Sequence, residues 1–245
     1  MKKTVAVLLS LTMLFSFSAC KGKESGTSEN GGSAKKPAQV EWKAEGGTLT
    51  IHGEGDMPDY VYPGEKNASP EKISPWTEDS ETVETVVIEE GTTSIGDFAF
   101  FECKKLASVE IPDGVIEIGY NAFTRCESLT EVALPDSMQI IGMSAFSFCS
   151  NLTEVEIPSN VTSLGPAAFA GCESLTEIVI PDKITVIDKS TFFGCTNLAK
   201  IVLPRSVKQV EDSAFSGCDA LTIYGEAGSY AETFAKENGI PFKVN

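Results

Sequence analysis

Leu129-Thr-Glu-Val-Ala-Leu-Pro-Asp-Ser-Met-Gln-Ile-Ile-Gly-Met-Ser-Ala-Phe-Ser-Phe-Cys-Ser-Asn151 is one period of a chain that repeats every 23 residues. Cys103, Cys126, Cys149, Cys172, Cys195 and Cys218 keep that step. So do Phe100, Phe123, Phe146, Phe169, Phe192 and Phe215, and Leu106, Leu129, Leu152, Leu175, Leu198 and Leu221. Pro112, Pro135, Pro158, Pro181 and Pro204 fall in the same register. Four columns sharing one period mark a repeat array, the first thing to settle in any sequence.

Within the quoted unit Val132 and Leu134 stand two apart, the spacing of side chains on one face of a strand. Pro135-Asp136 ends that strand with turn chemistry. Met138 and Ile141 point inward before Gly142, and the spacing of Ala145, Phe146 and Cys149 predicts a tight helical turn. Each unit offers one apolar row and nothing within itself to close it. Stacking in register buries the row against its neighbours and makes a continuous core. Six units at a strand spacing of about 4.8 Å span about 30 Å.

These residues resemble the leucine-rich repeats typified by the bacterial surface antigen BspA. The pattern is Leu-Thr-x-Val-x-Ile-Pro followed by Val-x-x-Ile-Gly-x-x-Ala-Phe-x-x-Cys-x-x-Leu, and Val161-Thr-Ser-Leu-Gly165 and Ala168-Phe-Ala-Gly-Cys172 carry it well. The resemblance runs from Val83 to Tyr224. Glu89 stands where later units have Pro, and Asp188 and Glu211 stand where earlier ones have Gly. It implies a leucine-rich-repeat solenoid at residues 83–224, displayed on a cell surface and used for attachment to host matrix proteins or other cells.

The flanks read as caps. Residues 40–82 form an N-terminal β cap, with Gly46-Gly47 as a hairpin turn before Thr48-Leu-Thr-Ile51. Ser74-Pro-Trp76 also resembles what precedes such repeats. Residues 225–245 form a helical C-terminal cap. Ser229-Tyr-Ala-Glu232 is a capping box, Asn238 ends the helix, and Gly239 and Pro241 stop it. Tyr230, Ala231, Phe234 and Ala235 share the face that closes the last unit.

Residues 1–19 read as an export signal. Lys2 and Lys3 precede an apolar run from Val5 to Phe17, which is too short for a stable span. Ala19-Cys20 then resembles the lipobox of bacterial lipoproteins, with Phe17 where Leu is usual. The resemblance implies diacylglycerol on Cys20 and retention by acyl chains; the alternative is an ordinary secreted protein. Residues 20–39, rich in Gly, Ser, Lys and Glu, read as a flexible tether. The net charge is −16, and losing Lys2 and Lys3 with the leader takes it to −18. Such a chain repels nucleic acid and anionic membrane surfaces, so contact with the membrane is expected through the anchor alone.

Little in the sequence speaks of catalysis, and no enzyme or cofactor is expected. Six cysteines in an exported chain invite disulfides, but all share one column, so a buried reduced ladder is expected. On that view Cys149→Ser strands a hydroxyl without a partner. No Cys-x₂-Cys pair or His partner suggests zinc. His52 is the one histidine and reads as an exposed strand residue. Asp56 and Asp59 lack the register of a calcium loop. Asn67-Ala-Ser69 and Asn151-Leu-Thr153 are glycosylation sequons by letter, idle behind a bacterial-type signal.

The informative surface is the outward side of the repeat strands. With Val109/Ile111, Val132/Leu134, Val155/Ile157, Ile178/Ile180 and Ile201/Leu203 inward, two columns face solvent. They supply the candidate binding face: Glu110, Glu131, Glu154, Glu156, Glu177, Val179, Lys200 and Val202. The expected partner is an extracellular protein or glycan. The alternative is a scaffolding envelope lipoprotein with partners in the same cell.

Overall fold

The computed structural model describes residues 40–245, apart from 67, 70 and 71. The expected leader at 1–19, lipidation site Cys20, tether at 20–39 and sequon residue Asn67 therefore lie outside the described residues. From Thr85 onward each period makes one coil of a parallel β-solenoid of about seven turns with little helix.

The first segment of each coil is a strand: Thr85–Ile88, Ser108–Glu110, Glu131–Val132, Glu154–Val155, Glu177–Val179, Lys200–Val202 and Thr222–Gly225. These lie side by side as a first sheet in three hydrogen-bonded blocks, broken between Ser108–Glu110 and Glu131–Val132 and between Glu154–Val155 and Glu177–Val179, with Val132 opposite Val155 and Ile178 opposite Ile201. The hairpin of Glu41–Glu45 and Thr48–His52 joins one edge by parallel pairing of Thr48–His52 with Thr85–Ile88. Its turn residues, Gly46 and Gly47, take φ of +59° and +83°, the left-handed region a two-residue hairpin turn requires.

The second segment forms a sheet that the sequence reading did not separate from the turns. Thr92–Ile95, Glu117–Ile118, Ile140–Ile141 and Ser163–Leu164 pair in parallel, and Val186–Ile187 pairs with Gln209–Val210 as a separate block. The gap between the blocks falls where the glycine column ends, although Glu211 in the same column still donates its amide to Ile187 O. A Cβ on Gly142 would stand 2.7 Å from the Ile118 carbonyl oxygen and 2.8 Å from the Gly119 carbonyl carbon. Gly165 is as tightly pressed on Gly142 and Met143. At Asp188 the column acquires a side chain. The bonds from Gly142 N to Ile118 O and from Gly165 N to Ile141 O have no counterpart from Asp188 to Leu164 among the described residues.

The third segment is a run of turns rather than the helical turn expected at 145–149. Ser144 and Phe148 take φ of +56° and +59°, which breaks any helical run. Their amides bond outward to the next coil: Ser144 N to Pro166 O, Phe146 N to Ala168 O, and Phe148 N to Ala170 O at 2.6–2.9 Å. The turn side is thus a third hydrogen-bonded ladder, which satisfies buried backbone groups that no helix serves.

Inside, Phe100, Phe123, Phe146, Phe169, Phe192 and Phe215 stack at centroid separations of 5.1–5.8 Å. Trp76 continues the stack at the N-terminal end, 5.7 Å from Phe100, and its indole N–H donates to Ala99 O. Phe234 closes the other end against Phe215 at 6.2 Å. Phe234 lies on the helix Tyr230–Glu237, whose N-cap is Ser229. Glu232 turns back to the amide of Gly228 rather than that of Ser229, one residue away from an ideal capping box. Beyond Gly239 the chain adds Phe242–Val244 as a parallel strand beside Thr222–Gly225 and so covers the sheet edge.

Candidate functional site

The outward columns of the first sheet stand where strand alternation puts them. Val109, Val132, Val155, Ile178 and Ile201 are buried, while Glu110, Glu131, Glu154, Glu156, Glu177 and Val179 are exposed. Lys200 and Val202 are half-buried. Pairing brings the face together: Glu131 sits opposite Glu154, Glu177 opposite Lys200, and Val179 opposite Val202. Glu110 lies beside Val87 at the N-terminal end. It also helps line a groove of about 470 Å³, together with Ile88, Glu89, Glu90 and Pro112.

Charge is unevenly settled along this face. Lys200 Nζ lies 3.0 Å from Glu177 Oε2 and 5.9 Å above the Tyr224 ring. Lys243 approaches the same ring at 5.6 Å. Tyr224 and Lys243 extend the face, and neither was in the sequence-derived set. Tyr224 pairs with Val202 only because the last coil is one residue short; a 23-residue step from Val202 lands on Gly225. Lys243 arrives through a strand outside the repeat. By contrast no lysine or arginine pairs with Glu110, Glu131, Glu154 or Glu156 among the described residues. Like charges held directly opposite on paired strands cost a few tenths of a kcal/mol to about 1 kcal/mol.

The other chemistry-bearing residues are spent on structure. His52 is exposed, and its Nδ1 lies 2.7 Å from Glu89 Oε2, so the residue replacing Pro in the first unit serves the cap. The six cysteines of the column are free and buried. Each from Cys126 to Cys218 donates to the carbonyl oxygen of a phenylalanine one coil back, at 3.0–3.3 Å. Burial pushes the Cys103 and Cys149 thiols up to about 12, away from thiolate chemistry at neutral pH. A serine at 149 would find the Phe123 carbonyl waiting, so the expected orphan hydroxyl is corrected. No metal-binding group of three or more His, Cys, Asp or Glu occurs among the described residues. Asp56 accepts a hydrogen bond from Thr93 and Asp59 one from the Asp97 amide. No described helix is long and apolar enough to cross a membrane.

One feature lies off the repeat columns. Tyr62, Phe98, Phe101 and Tyr120 gather at the N-terminal end of the turn side, with neighbouring centroids 5.0–6.5 Å apart. The sequence reading did not find them.

The profile for the BspA type leucine rich repeat region matches this chain in six copies, over residues 77–198 and 163–228. No curated protein sequence matches it. Among solved structures, a leucine-rich-repeat protein of T. pallidum is 22% identical with a TM-score of 0.57; the match covers 83% of this chain and 95% of that one. A leucine-rich-repeat protein from Bacteroides ovatus is 28% identical with a TM-score of 0.57, covering 78% of this chain and 54% of its own. The pneumococcal vaccine antigen PcpA is 20% identical with a TM-score of 0.56, covering 69% of this chain and 45% of its own. This chain therefore spans about half the length of the last two, and what they share with it is the fold.

Proposed function

Because the chain belongs to the BspA-type leucine-rich-repeat family, we propose that it is a cell-surface binding module that attaches to an extracellular protein through the outer face of its first sheet. The observation that carries this reading is the in-register pair Glu131 and Glu154, continued by Glu110 and Glu156, with no cation to settle them among the described residues. A solenoid presents such a face as one extended surface, and this one fits a partner with a basic patch. Val179 and Val202 give it an apolar end. Cys126, Cys149, Cys172, Cys195 and Cys218 tie successive coils together and His52 ties the cap to Glu89, and a scaffold of this type is typically not catalytic.

Export and anchoring at Cys20 complete the proposal and rest on the sequence of residues 1–20. Labelling growing cells with an alkyne fatty acid tests the anchor: label should enter the wild type and disappear in Cys20→Ala. The binding face is tested by screening the chain against extracellular-matrix proteins and against the producing cell's own envelope. Saturable capture of a matrix protein, abolished by joint Glu131→Lys, Glu154→Lys and Glu177→Lys, is the expected result. Binding that survives the triple reversal removes the face from consideration. Capture confined to the cell's own envelope proteins favours a scaffolding role.

A further inference from the structure

The aromatic corner on the turn side has no counterpart in the solenoid's own needs. At the positions equivalent to Phe98 the other coils carry Asn121, Ser144, Ala167, Ser190 and Ser213. At those equivalent to Phe101 they carry Thr124, Ser147, Ala170, Phe193 and Ser216. Small and polar residues hold the same turn geometry, since Phe98, Asn121, Ser144, Ala167 and Ser190 all take φ between +54° and +57°. At the positions equivalent to Tyr120 stand Met143, Pro166, Lys189 and Asp212, so the rings of Phe98, Phe101 and Tyr120 are not required by the backbone. Tyr62, brought in by the loop that Val61 N closes on Lys72 O, packs edge-on to Phe101 at 5.3 Å. Tyr62 and Tyr120 remain 46% and 39% exposed, so the cluster keeps open ring surface.

Two carboxylates border that surface in an ordered stack. Asp59 accepts the amide of Asp97 at 3.1 Å, and Asp97 accepts the amide of Tyr120 at 2.6 Å. No lysine or arginine pairs with either among the described residues. Elsewhere the protein supplies its own cations to its rings: Arg125 lies over Phe148, and Lys200 and Lys243 over Tyr224. At this corner the rings and the negative charge are present and the cation is not among the described residues. We propose that the corner formed by Tyr62, Phe98, Phe101 and Tyr120 beside Asp59 and Asp97 is a second docking surface, which takes a lysine- or arginine-bearing apolar segment of a partner protein. The ammonium or guanidinium group rests against Tyr120 and the two carboxylates, and an apolar neighbour covers Phe98 and Phe101. Exposed contacts of a cation with an aromatic face are modest singly and gain from the nearby charge.

The surface is separate from the first-sheet face and can be tested separately. The full chain, isotopically labelled for amide NMR, is titrated at physiological salt with the peptide Lys-Phe-Lys-Phe-Lys. The controls are Gln-Phe-Gln-Phe-Gln and the neutral oligosaccharide cellohexaose. The expected result is saturable shifts centred on Asp97 and Tyr120 with the lysine peptide alone. Asp97→Asn keeps an oxygen for the Tyr120 amide but removes the charge. Tyr120→Lys installs the residue that the chain itself carries at the equivalent Lys189. Each should weaken binding about tenfold while leaving the remaining spectrum in place. The triple reversal of Glu131, Glu154 and Glu177 should leave this binding unchanged. Shifts centred on the first-sheet glutamates, equal binding of the glutamine peptide, binding of cellohexaose instead, or no shift at millimolar peptide would each overturn the proposal.

Discussion

Cys149 Sγ donates a hydrogen bond to the carbonyl oxygen of Phe123 in the preceding coil, 3.2 Å away. The same carbonyl already accepts the Cys126 amide, so one thiol ties the turn side of one coil to that of the next. Repeated from Cys126 to Cys218, the contact makes the cysteine column a set of coil-to-coil fasteners rather than a reserve of disulfides.

A serine at this position keeps a donor and an alanine does not. Cys149→Ala loses the bond and leaves a small void, costing about 1–3 kcal/mol. Cys149→Ser should cost less, because the hydroxyl has an acceptor in reach. Urea unfolding of both variants measures the order. If serine proves the more costly, the thiol acts as a small hydrophobe and its contact with Phe123 contributes nothing.

Thiol burial also fixes an alkaline limit. Cys103 and Cys149 ionise near 12 in the folded state because burial disfavours the thiolate, against an ordinary value of 9.0. A folded pKa raised above the unfolded one contributes stability that is fully present below the unfolded value. That stability is lost as pH rises through the folded one. Thermal melts should therefore be insensitive to these thiols up to about pH 9 and fall between about 9 and 12. In the native state Cys103, Cys126, Cys149 and Cys172, all raised by burial, should resist a thiol reagent at pH 8. In denaturant without reductant all six cysteines of the column should titrate as free thiols. Fewer than six would mean that some are paired.

The aromatic stack gives the largest single effect. Phe146 is fully buried and lies 5.3 Å from Phe123 and 5.5 Å from Phe169, nearly parallel to both. Phe146→Ala should cost about 3–5 kcal/mol. Denaturant unfolding that shows a loss below about 1 kcal/mol would mean that the coils close over the gap and the stack is not what holds them.

Much of this was legible in the sequence, for a definable reason. A 23-residue period repeats each inward column six times, so Phe146, Cys149 and Leu152 announce themselves as core without any reference to local propensity. The outward columns of the first sheet follow from strand alternation once Val132 is placed inward. The second sheet was missed because its strands are two residues long. Ile140–Ile141 offers one alternation, which a turn could equally show. The turn-side ladder was missed because the Ser144 column holds no glycine, and because the glycines of the Phe148 column, Gly171, Gly194 and Gly217, begin only in the fourth coil. The aromatic corner was missed because Tyr62 and Phe98 are far apart in the chain, Tyr62 lies outside the repeats, and Phe98 falls in a column of otherwise small residues. Scanning each column for the residue that breaks it would have singled out Phe98.

One such break is already visible at Asp188, where the second sheet divides. Gly142 occupies the same column in an unbroken part, where an added Cβ would stand 2.7 Å from the Ile118 carbonyl oxygen. Gly142→Ala should force the two coils apart and cost about 1–3 kcal/mol, as overpacking does. Hydrogen exchange should show the Gly142 amide, which bonds Ile118 O in the wild type, losing protection while the Phe146 amide retains it. Unchanged protection at Gly142 would mean that the column tolerates a side chain and that the division at Asp188 has another cause.

The left-handed column supplies a change in the opposite direction. Ser144 takes φ of +56°, a conformation that costs a non-glycine residue about 1 kcal/mol or more. Its amide and carbonyl are engaged with Pro166 O and the Thr124 hydroxyl, and both are backbone groups that glycine retains. Ser144→Gly should therefore stabilise the solenoid by about 0.5–1 kcal/mol, the relief of the left-handed strain slightly exceeding the extra freedom of glycine in the unfolded chain. At the column containing Phe148, by contrast, the phenylalanine ring lies against the position a Cβ would take on Gly171. Phe148→Gly thus removes a contact as well as strain and should gain less. Melting temperatures of the two variants, compared with wild type, check the order, and a destabilised Ser144→Gly would show that the turn side is held by the serine side chain rather than by its backbone.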